Sequence, residues 1–274
     1  GPSGTASATA TITITAFGLN FPGSVTASPT ADCPGAQATM RFQFLNPQLA
    51  NPPLAIYPAT YIWRAYPRQQ PGFYTTFFWG TGGTNFWWDI GGQANSFYGA
   101  HPYPQNVPTG NTHWWEIATD RGGDYTGAAV AYNRWYTQAL VAWNTGSGKR
   151  TIFYYDLPDT SKFIDHTTDS SYGNINPPTP ALTWGDAPWI GETPTNGQAH
   201  EVYCGILRGI QVYSTNLSVA DILSEASSPL STSSGAANIW YLNLDPRPDD
   251  ISDTSGKGHQ PEWVGTERPS LWTQ

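Results

Sequence analysis

Glycine and proline interrupt this chain at short intervals, and the segments between them alternate apolar with polar residues. The sequence holds 28 Gly and 24 Pro, and residues 10–16 carry alanine or isoleucine at every second position with threonine between them. A period of two places alternate side chains on opposite faces of a strand, and Gly and Pro favour the turns that join strands. The pattern predicts many short β-strands.

Nine further segments are predicted as strands: residues 39–45, 60–66, 74–79, 85–90, 112–119, 136–143, 151–156, 206–213 and 239–244. One short helix is predicted over residues 218–226, in which Ser218 caps the first turn, Asp221 takes the third-position acidic slot and Leu217 packs against Ile222. So many strands with one connecting helix predict an all-β fold, a two-sheet antiparallel β-sandwich.

The chain shows no proline- or serine-rich linker that would divide it. Residues 1–8 are Gly, Pro, Ser, Thr and Ala, which predicts a disordered lead-in or a tag remnant. Residues 9–274 are predicted to form one sandwich domain.

The charge balance excludes several classes of partner. Only 12% of the residues are charged, 12 basic against 20 acidic, and the net charge is -8. Nucleic acids and anionic bilayers call for a basic patch, so neither they nor membrane insertion is predicted. Neutral sugars remain suitable ligands.

The two cysteines, Cys33 and Cys204, match no metal or redox motif. The sequence leaves two interpretations open. They are either two buried thiols or one disulfide that closes a long loop, and a disulfide is plausible in an oxidising compartment.

Three segments resemble laminin-G-like modules. Residues 133–156, NRWYTQALVAWNTGSGKRTIFYYD, resemble a strand pair that opens on Trp-Tyr and ends on Tyr-Asp. Residues 205–222, GILRGIQVYSTNLSVADI, are similar to the family's closing strand and Leu-Ser segment, and residues 253–263, DTSGKGHQPEW, resemble its Asp-x-Ser-Gly-x-Gly turn. That turn commonly sits near the start of such a module, whereas here it lies close to the C-terminus.

The resemblance implies a jelly roll of the laminin-G-like and concanavalin A-like superfamily, whose members bind glycans, proteins or calcium. The prediction is a lectin-like carbohydrate-binding module that is secreted or lies on an extracellular surface, a virion surface included. A structural or adhesive protein, oligomeric or part of a larger surface assembly, is the alternative that involves no sugar.

The candidate ligand site consists of tryptophan and carboxylate side chains on two strands. Alternation places Trp87 with Asp89, and Trp114 with Glu116, on the face opposite the expected core. Flanking strands are expected to add four side chains, which are Arg41, Gln43, Arg64 and Tyr66. An indole stacks on the apolar face of a pyranose, while carboxylate, amide and guanidinium groups bond its hydroxyls. The alternative is that the second sheet covers both tryptophans as core.

Residues 96–108 are predicted as a loop that either forms a wall of this site or packs as an ordinary loop. Residues 116–120, EIATD, faintly resemble the Glu-x-Asp-x-Glu strand of laminarinase-type glycoside hydrolases, with Ala118 and Asp120 departing from it. The Cα atoms of Glu116 and Asp120 would lie about 13 Å apart on one strand, whereas a retaining pair needs carboxyl groups about 5 to 5.5 Å apart. Binding is therefore preferred, with a glycoside hydrolase or polysaccharide lyase using these two acids as the alternative.

An acidic segment near the C-terminus offers oxygen ligands. Asp249, Asp250 and Asp253 lie within five residues of each other, and carboxylates and loop carbonyls suit Ca²⁺. The two interpretations are a structural calcium site and a solvated acidic turn.

Overall fold

The computed structural model describes residues 16–23, 29–36, 41–44, 55–68, 74–79, 87–91, 96–100, 116–118, 132–144, 149–167, 182–183, 189–191, 202–230, 235, 237–244 and 250–273. These residues form one helix, α1 (Val219–Ser227), and seventeen strands. The strands are β1 (Ala16–Pro22), β2 (Arg41–Phe44), β3 (Ala55–Tyr57), β4 (Ala59–Pro67), β5 (Tyr74–Trp79), β6 (Trp87–Gly91), β7 (Ser96–Ala100), β8 (Glu116–Ala118), β9 (Tyr136–Asn144), β10 (Lys149–Leu157), β11 (Phe163–Thr167), β12 (Leu182–Thr183), β13 (Trp189–Ile190), β14 (Cys204–Tyr213), β15 (Asn238–Asn243), β16 (Pro261–Val264) and β17 (Ser270–Thr273).

The strands pair antiparallel in two large sheets and one small one. The eight-stranded sheet has the order β11-β10-β9-β4-β14-β1-β17, and β15 also pairs with β14. The seven-stranded sheet has the order β16-β2-β13-β5-β6-β7-β8, while β12 pairs with β3 separately. Most neighbours in these sheets are distant in sequence, so loop closure over long distances is part of the fold.

The core lies between the two large sheets. One cluster of buried side chains takes Phe21 and Trp63 from the eight-stranded sheet and Phe42 and Ile190 from the seven-stranded sheet. The sheets approach closely at Gly191, where a Cβ atom would clash with the ring of Phe21. Burial of each large apolar side chain stabilises the fold by about 1.5–3 kcal/mol. The predicted all-β, two-sheet antiparallel sandwich with one short helix is confirmed.

Helix α1 packs on the outer face of the eight-stranded sheet, away from this core. Oγ of Ser218 accepts a hydrogen bond from the backbone N–H of Asp221 at 3.2 Å, so the predicted N-cap is confirmed. Leu217 and Ile222 share a second buried cluster with Ile62 of β4. The helix thus covers one part of this outer face. Among the described residues no helix has the length and apolar character needed to cross a membrane.

Most predicted strands agree with the structure to within a few residues, and the differences lie in short segments. The predicted strand at residues 10–16 lies outside the described residues except Ala16, where β1 begins. Residues 96–108 were predicted as a loop, which is wrong for β7. That strand pairs with β6 in a hairpin and with β8 on its other side, and these pairings override the turn signals of its sequence.

Candidate functional site

The outer face of the eight-stranded sheet continues beyond α1 as a polar and aromatic surface. Along β4, Tyr61, Trp63 and Ala65 face the core, whereas Arg64 and Tyr66 are half-buried on the other face. Arg68, just past the strand, continues this face and is also half-buried. The alternation of β4 therefore carries two of the predicted ligand residues onto one surface.

Three aromatic side chains, Tyr66, Trp135 and Trp272, form what we call the aromatic surface. The ring centroids of Tyr66 and Trp135 lie 5.4 Å apart at 64°, and those of Trp135 and Trp272 lie 5.5 Å apart at 68°. All three side chains are half-buried, so part of each ring is accessible. Edge-to-face pairs of this kind add about 0.5–1.5 kcal/mol each beyond their burial. The rings therefore form a connected, ordered group.

The two tryptophans reach this group from opposite parts of the sheet. Trp135 directly precedes β9 and Trp272 lies in β17, with β4, β14 and β1 between those strands. The indole centroids are 5.5 Å apart, so the two rings meet although their strands are not neighbours in the sheet. The aromatic surface therefore extends along the sheet.

Arginines border the aromatic surface on two sides. Cζ of Arg208 lies 5.6 Å from the ring centroid of Trp135, and Cζ of Arg68 lies 5.9 Å from that of Tyr66. Arg208 also lines a cavity of about 90 Å³ with Arg64 and Gln211. That volume equals about three water molecules, so this cavity suits water or a single ligand substituent.

On the other side of Tyr66 lies a larger groove of about 410 Å³. Its lining residues come from three parts of the chain and are Asn20, Pro22, Ala31, Asp32, Pro34, Arg68, Arg268 and Ser270. Sites for small ligands have volumes of about 300–1,000 Å³. This groove is therefore large enough for a sugar residue, and Arg68 connects it to the aromatic surface.

Hydrogen bonds organise the floor of the groove. Nη1 of Arg68 donates to Oδ1 of Asn20, whose Nδ2 donates to Oγ of Ser270 at 3.1 Å. Nη1 of Arg268 donates to the carbonyl oxygens of Gly265 at 2.9 Å and Glu267 at 2.8 Å. The polar side chains are thus held before any ligand arrives.

A disulfide fixes one wall of the groove. Cys33, between the lining residues Asp32 and Pro34, is bonded to Cys204 of β14, with the Cα atoms 5.9 Å apart. The backbone N–H groups of Gly35 and Ala36 donate to strand β1 and its following residue at 2.9 and 2.8 Å. The sequence left open whether the two cysteines are buried thiols or one disulfide, and the structure shows the disulfide.

Behind the groove, Tyr203 is fully buried. Burial raises the pKa of its phenol far above the ordinary value of 10.0, and the nearby positive charge of Arg68 opposes that rise only in part. Tyr203 is therefore neutral at physiological pH and does not balance the charge of Arg68.

The predicted tryptophan and carboxylate positions lie on the seven-stranded sheet. On one side Trp87 pairs with Ala100 of β7, and Ala100 pairs with Glu116 of β8. On the other side Trp87 pairs with Trp79, which pairs with Trp189, and Trp189 pairs with Gln43 of β2. We call this line of positions the tryptophan row. Asp89 is one step along, opposite Tyr98. Phe42 and Ile190, which precede Gln43 and follow Trp189 on their strands, belong to the core.

Two parts of the site prediction are corrected. Arg64 and Tyr66 were expected on strands flanking β6, but β4 belongs to the other large sheet. The strands of Trp87 and Glu116 are not neighbours either, because β7 pairs between them. Sequence alternation gives the face of each strand but not the order of strands in a sheet. Trp114, Asp120 and Asp249 lie outside the described residues.

The C-terminal aspartates show a structural role. Oδ1 of Asp253 accepts hydrogen bonds from the backbone N–H groups of Tyr241 and Ser255, and Oδ2 accepts from Oγ of Ser255 and the N–H of His259. A carboxylate has about four lone-pair positions, so these donors occupy its capacity. Among the described residues no group of three or more His, Cys, Asp or Glu side chains can hold a metal ion. The calcium site stays a prediction.

Comparison with known proteins gives no family. No protein-family model matches the chain, and no curated protein matches it. Among solved structures, the chain is similar to a heptameric SAP-like pentraxin from Limulus polyphemus, at 14% identity and a TM-score of 0.47, covering 93% of each chain. It is also similar to a putative carbohydrate-binding protein from Bacteroides ovatus, at 12% identity and a TM-score of 0.49, covering 93% of this chain and 61% of that one.

A third similar structure is the CBM40 module of a Ruminococcus gnavus IT-sialidase, at 16% identity and a TM-score of 0.41, covering 63% of this chain and 84% of that one. All three have TM-scores below 0.5. The functional conclusion below therefore rests on the residues of this chain.

Sequence reasoning identified Arg64 and Tyr66 but missed most of their neighbours. Arg68 follows them at the same spacing of two and was within reach of the alternation rule. Trp135 had been noted only as part of the family resemblance. Trp272 and Arg268 lie in the C-terminal segment where no strand was predicted, and only the pairing of β17 with β1 brings them to the site.

Proposed function

We propose that this chain is a non-catalytic, lectin-like carbohydrate-binding module that holds a glycan on the aromatic surface and in the adjoining groove. The observation that carries the proposal is the connected series Tyr66, Trp135 and Trp272 beside Arg68 and the groove of about 410 Å³. Aromatic rings offer an apolar contact for the C–H face of a pyranose. Arginine, asparagine and serine side chains offer donors and acceptors for its hydroxyls.

We further propose that the module is of the laminin-G-like and concanavalin A-like type and acts outside the cell. The three resembling segments form the expected local structures, namely the β9–β10 hairpin, strand β14 followed by α1, and the turn at Asp253. The disulfide between Cys33 and Cys204 supports an extracellular location, since such bonds persist in oxidising compartments.

Trp272 is the residue with which to test this function. Trp272 lies in the edge strand β17 and is half-buried, and its ring contacts Trp135. Its replacement should therefore disturb the core little. We expect Trp272→Ala to weaken glycan binding by about tenfold or more, the value of a lost stacking contact, while Trp272→Phe retains much of the affinity. The measurement is titration calorimetry with the best ligand from a glycan array.

Leu271→Ala is the matched control. Leu271 is the preceding residue of β17, is 52% exposed and lies outside the aromatic surface, so its loss should leave binding unchanged. If Trp272→Ala binds as the wild type does while Trp87→Ala does not, the glycan lies on the tryptophan row and the surface proposed here is wrong. If no glycan on the array binds, the carbohydrate-binding function itself fails.

Incubation of the protein with the glycans of the array also tests the two alternative functions, an enzyme and a structural or adhesive protein. Released reducing or unsaturated ends would show an enzyme, and Glu116→Gln would then be the first variant to make. A mass that rises with protein concentration, without glycan binding, would favour the structural or adhesive protein whose aromatic surface is covered by a second subunit.

A further inference from the structure

Arginine is concentrated around the proposed glycan site. The chain has nine Arg and a net charge of -8, yet four arginines border the aromatic surface or its two cavities: Arg64, Arg68, Arg208 and Arg268. Charges separated by more than about 8–10 Å are largely screened at physiological salt. The local guanidinium groups therefore determine what the site attracts, and the net charge of the chain has little influence.

The two arginines of the larger groove keep hydrogen-bond donors for a ligand. Arg68 uses Nη1 on Asn20 and lies over Tyr66, and Arg268 uses Nη1 on two backbone carbonyls and lies 4.9 Å from the ring centroid of Trp263. Within the described residues neither of them forms an ion pair. A guanidinium has five N–H donors, so each keeps donors on Nη2 and Nε.

The groove carries a net positive charge. Among the described residues its titratable lining groups are Arg68, Arg268 and the exposed Asp32. Two guanidinium groups and one carboxylate leave one positive charge, and the neutral, buried Tyr203 behind Arg68 does not offset it. Among the described residues neither guanidinium is ion-paired with Asp32 or another carboxylate, so an anionic group that enters the groove can replace the solvent around both cations.

We infer that the glycan bound at this site is acidic, and that Arg68 and Arg268 hold its carboxylate or sulfate group in the groove while the neighbouring sugar ring contacts the aromatic surface. This inference rests on the proposed function and names its ligand class. The planar guanidinium fork matches an oxyanion in two-bond geometry. The site thus combines a recognition element for charge with one for the sugar ring.

The experiment is a glycan array of acidic and neutral oligosaccharides, followed by titration calorimetry with the best binder. We expect that binder to be acidic, and to lose affinity by about tenfold or more when its carboxyl groups are reduced or its sulfates removed. Whichever of these treatments weakens binding identifies the anionic group. Affinity should also fall as NaCl is raised, because part of it is electrostatic.

Arg268→Gln tests the protein side of the contact. Arg268 is exposed, and its contacts in the described part of the chain are with its own loop and Trp263. The variant should therefore fold, and we expect about a tenfold or greater loss of affinity for the acidic glycan. Lys162→Gln changes the net charge equally at an exposed position on another loop and should have no effect. Arg268→Lys should show a partial loss, since a lysine lacks the planar fork.

The outcomes distinguish the two proposals. If neutral glycans bind best, and Arg268→Gln leaves their affinity unchanged while Trp272→Ala abolishes it, the acidic ligand is wrong and the carbohydrate-binding function stands. If an acidic glycan binds but Lys162→Gln weakens it as much as Arg268→Gln, the contact in the groove is wrong. If no glycan binds, the proposed function fails and the inference fails with it.

Discussion

Asp253 holds the turn at residues 253–259 through both of its carboxylate oxygens. Four donors converge on this side chain, three backbone N–H groups and the hydroxyl of Ser255. The side chain is also buried, at 8% exposure, so a lost partner is not easily replaced by water. This is the turn that the family resemblance identified, and its acidic residue acts through hydrogen bonds to its own chain.

We expect Asp253→Asn to lower the free energy of unfolding by about 2–3 kcal/mol, because an amide nitrogen would face N–H donors that a carboxylate oxygen now satisfies. Urea denaturation measures the change. The melting temperature of the wild type in EDTA and in excess calcium tests the calcium prediction beside it. The saturated hydrogen bonding of Asp253 leads us to expect equal values, and a rise in calcium that Asp253→Asn removes would contradict this.

At the scale of elements, α1 divides the outer face of the eight-stranded sheet into two parts. It packs on Ile62 through Leu217 and Ile222, and its Glu225, which is fully buried, accepts hydrogen bonds from the hydroxyl of Tyr213 and the N–H of Leu230, each at 2.8 Å. The helix is thus fixed at one end of the face. The other end carries the aromatic surface.

We expect Ser218→Ala to lower the free energy of unfolding by about 1 kcal/mol, since the N-cap oxygen that accepts from Asp221 is lost. Ser227→Ala, in the last turn, removes only a hydroxyl bonded to a carbonyl of the same helix and should change stability by less than about 0.5 kcal/mol. Glycan affinity should be equal in both variants. A loss of affinity in Ser218→Ala would show that α1 belongs to the binding site.

At the scale of the whole molecule, the disulfide joins residues that are 171 positions apart in sequence. It links the segment at residues 29–36 to β14, near the centre of the eight-stranded sheet. That segment supplies Ala31, Asp32 and Pro34 to the groove. One covalent bond therefore constrains the unfolded chain and also positions a wall of the proposed site.

We expect the double variant Cys33→Ser with Cys204→Ser to lower the free energy of unfolding by about 2–5 kcal/mol, as a cross-link over a long loop implies. Glycan affinity should fall as well, because the groove wall loses its attachment. Calorimetry on the variant, with the reduced wild type as the comparison, measures both effects. Unchanged affinity in a folded variant would mean that the backbone hydrogen bonds of Gly35 and Ala36 alone hold the wall.

The sequence by itself determined the local elements. The period of two in segments such as 74–79 and 136–143, and the cap at Ser218, depend on residues close to each other in the chain, so strand class, hairpin β9–β10 and helix α1 were predictable. Tertiary structure decided which strands became neighbours, because antiparallel pairing joins distant segments with no local signal. It therefore decided that Cys33 meets Cys204, and that arginines scattered from Arg64 to Arg268 gather around three aromatic rings.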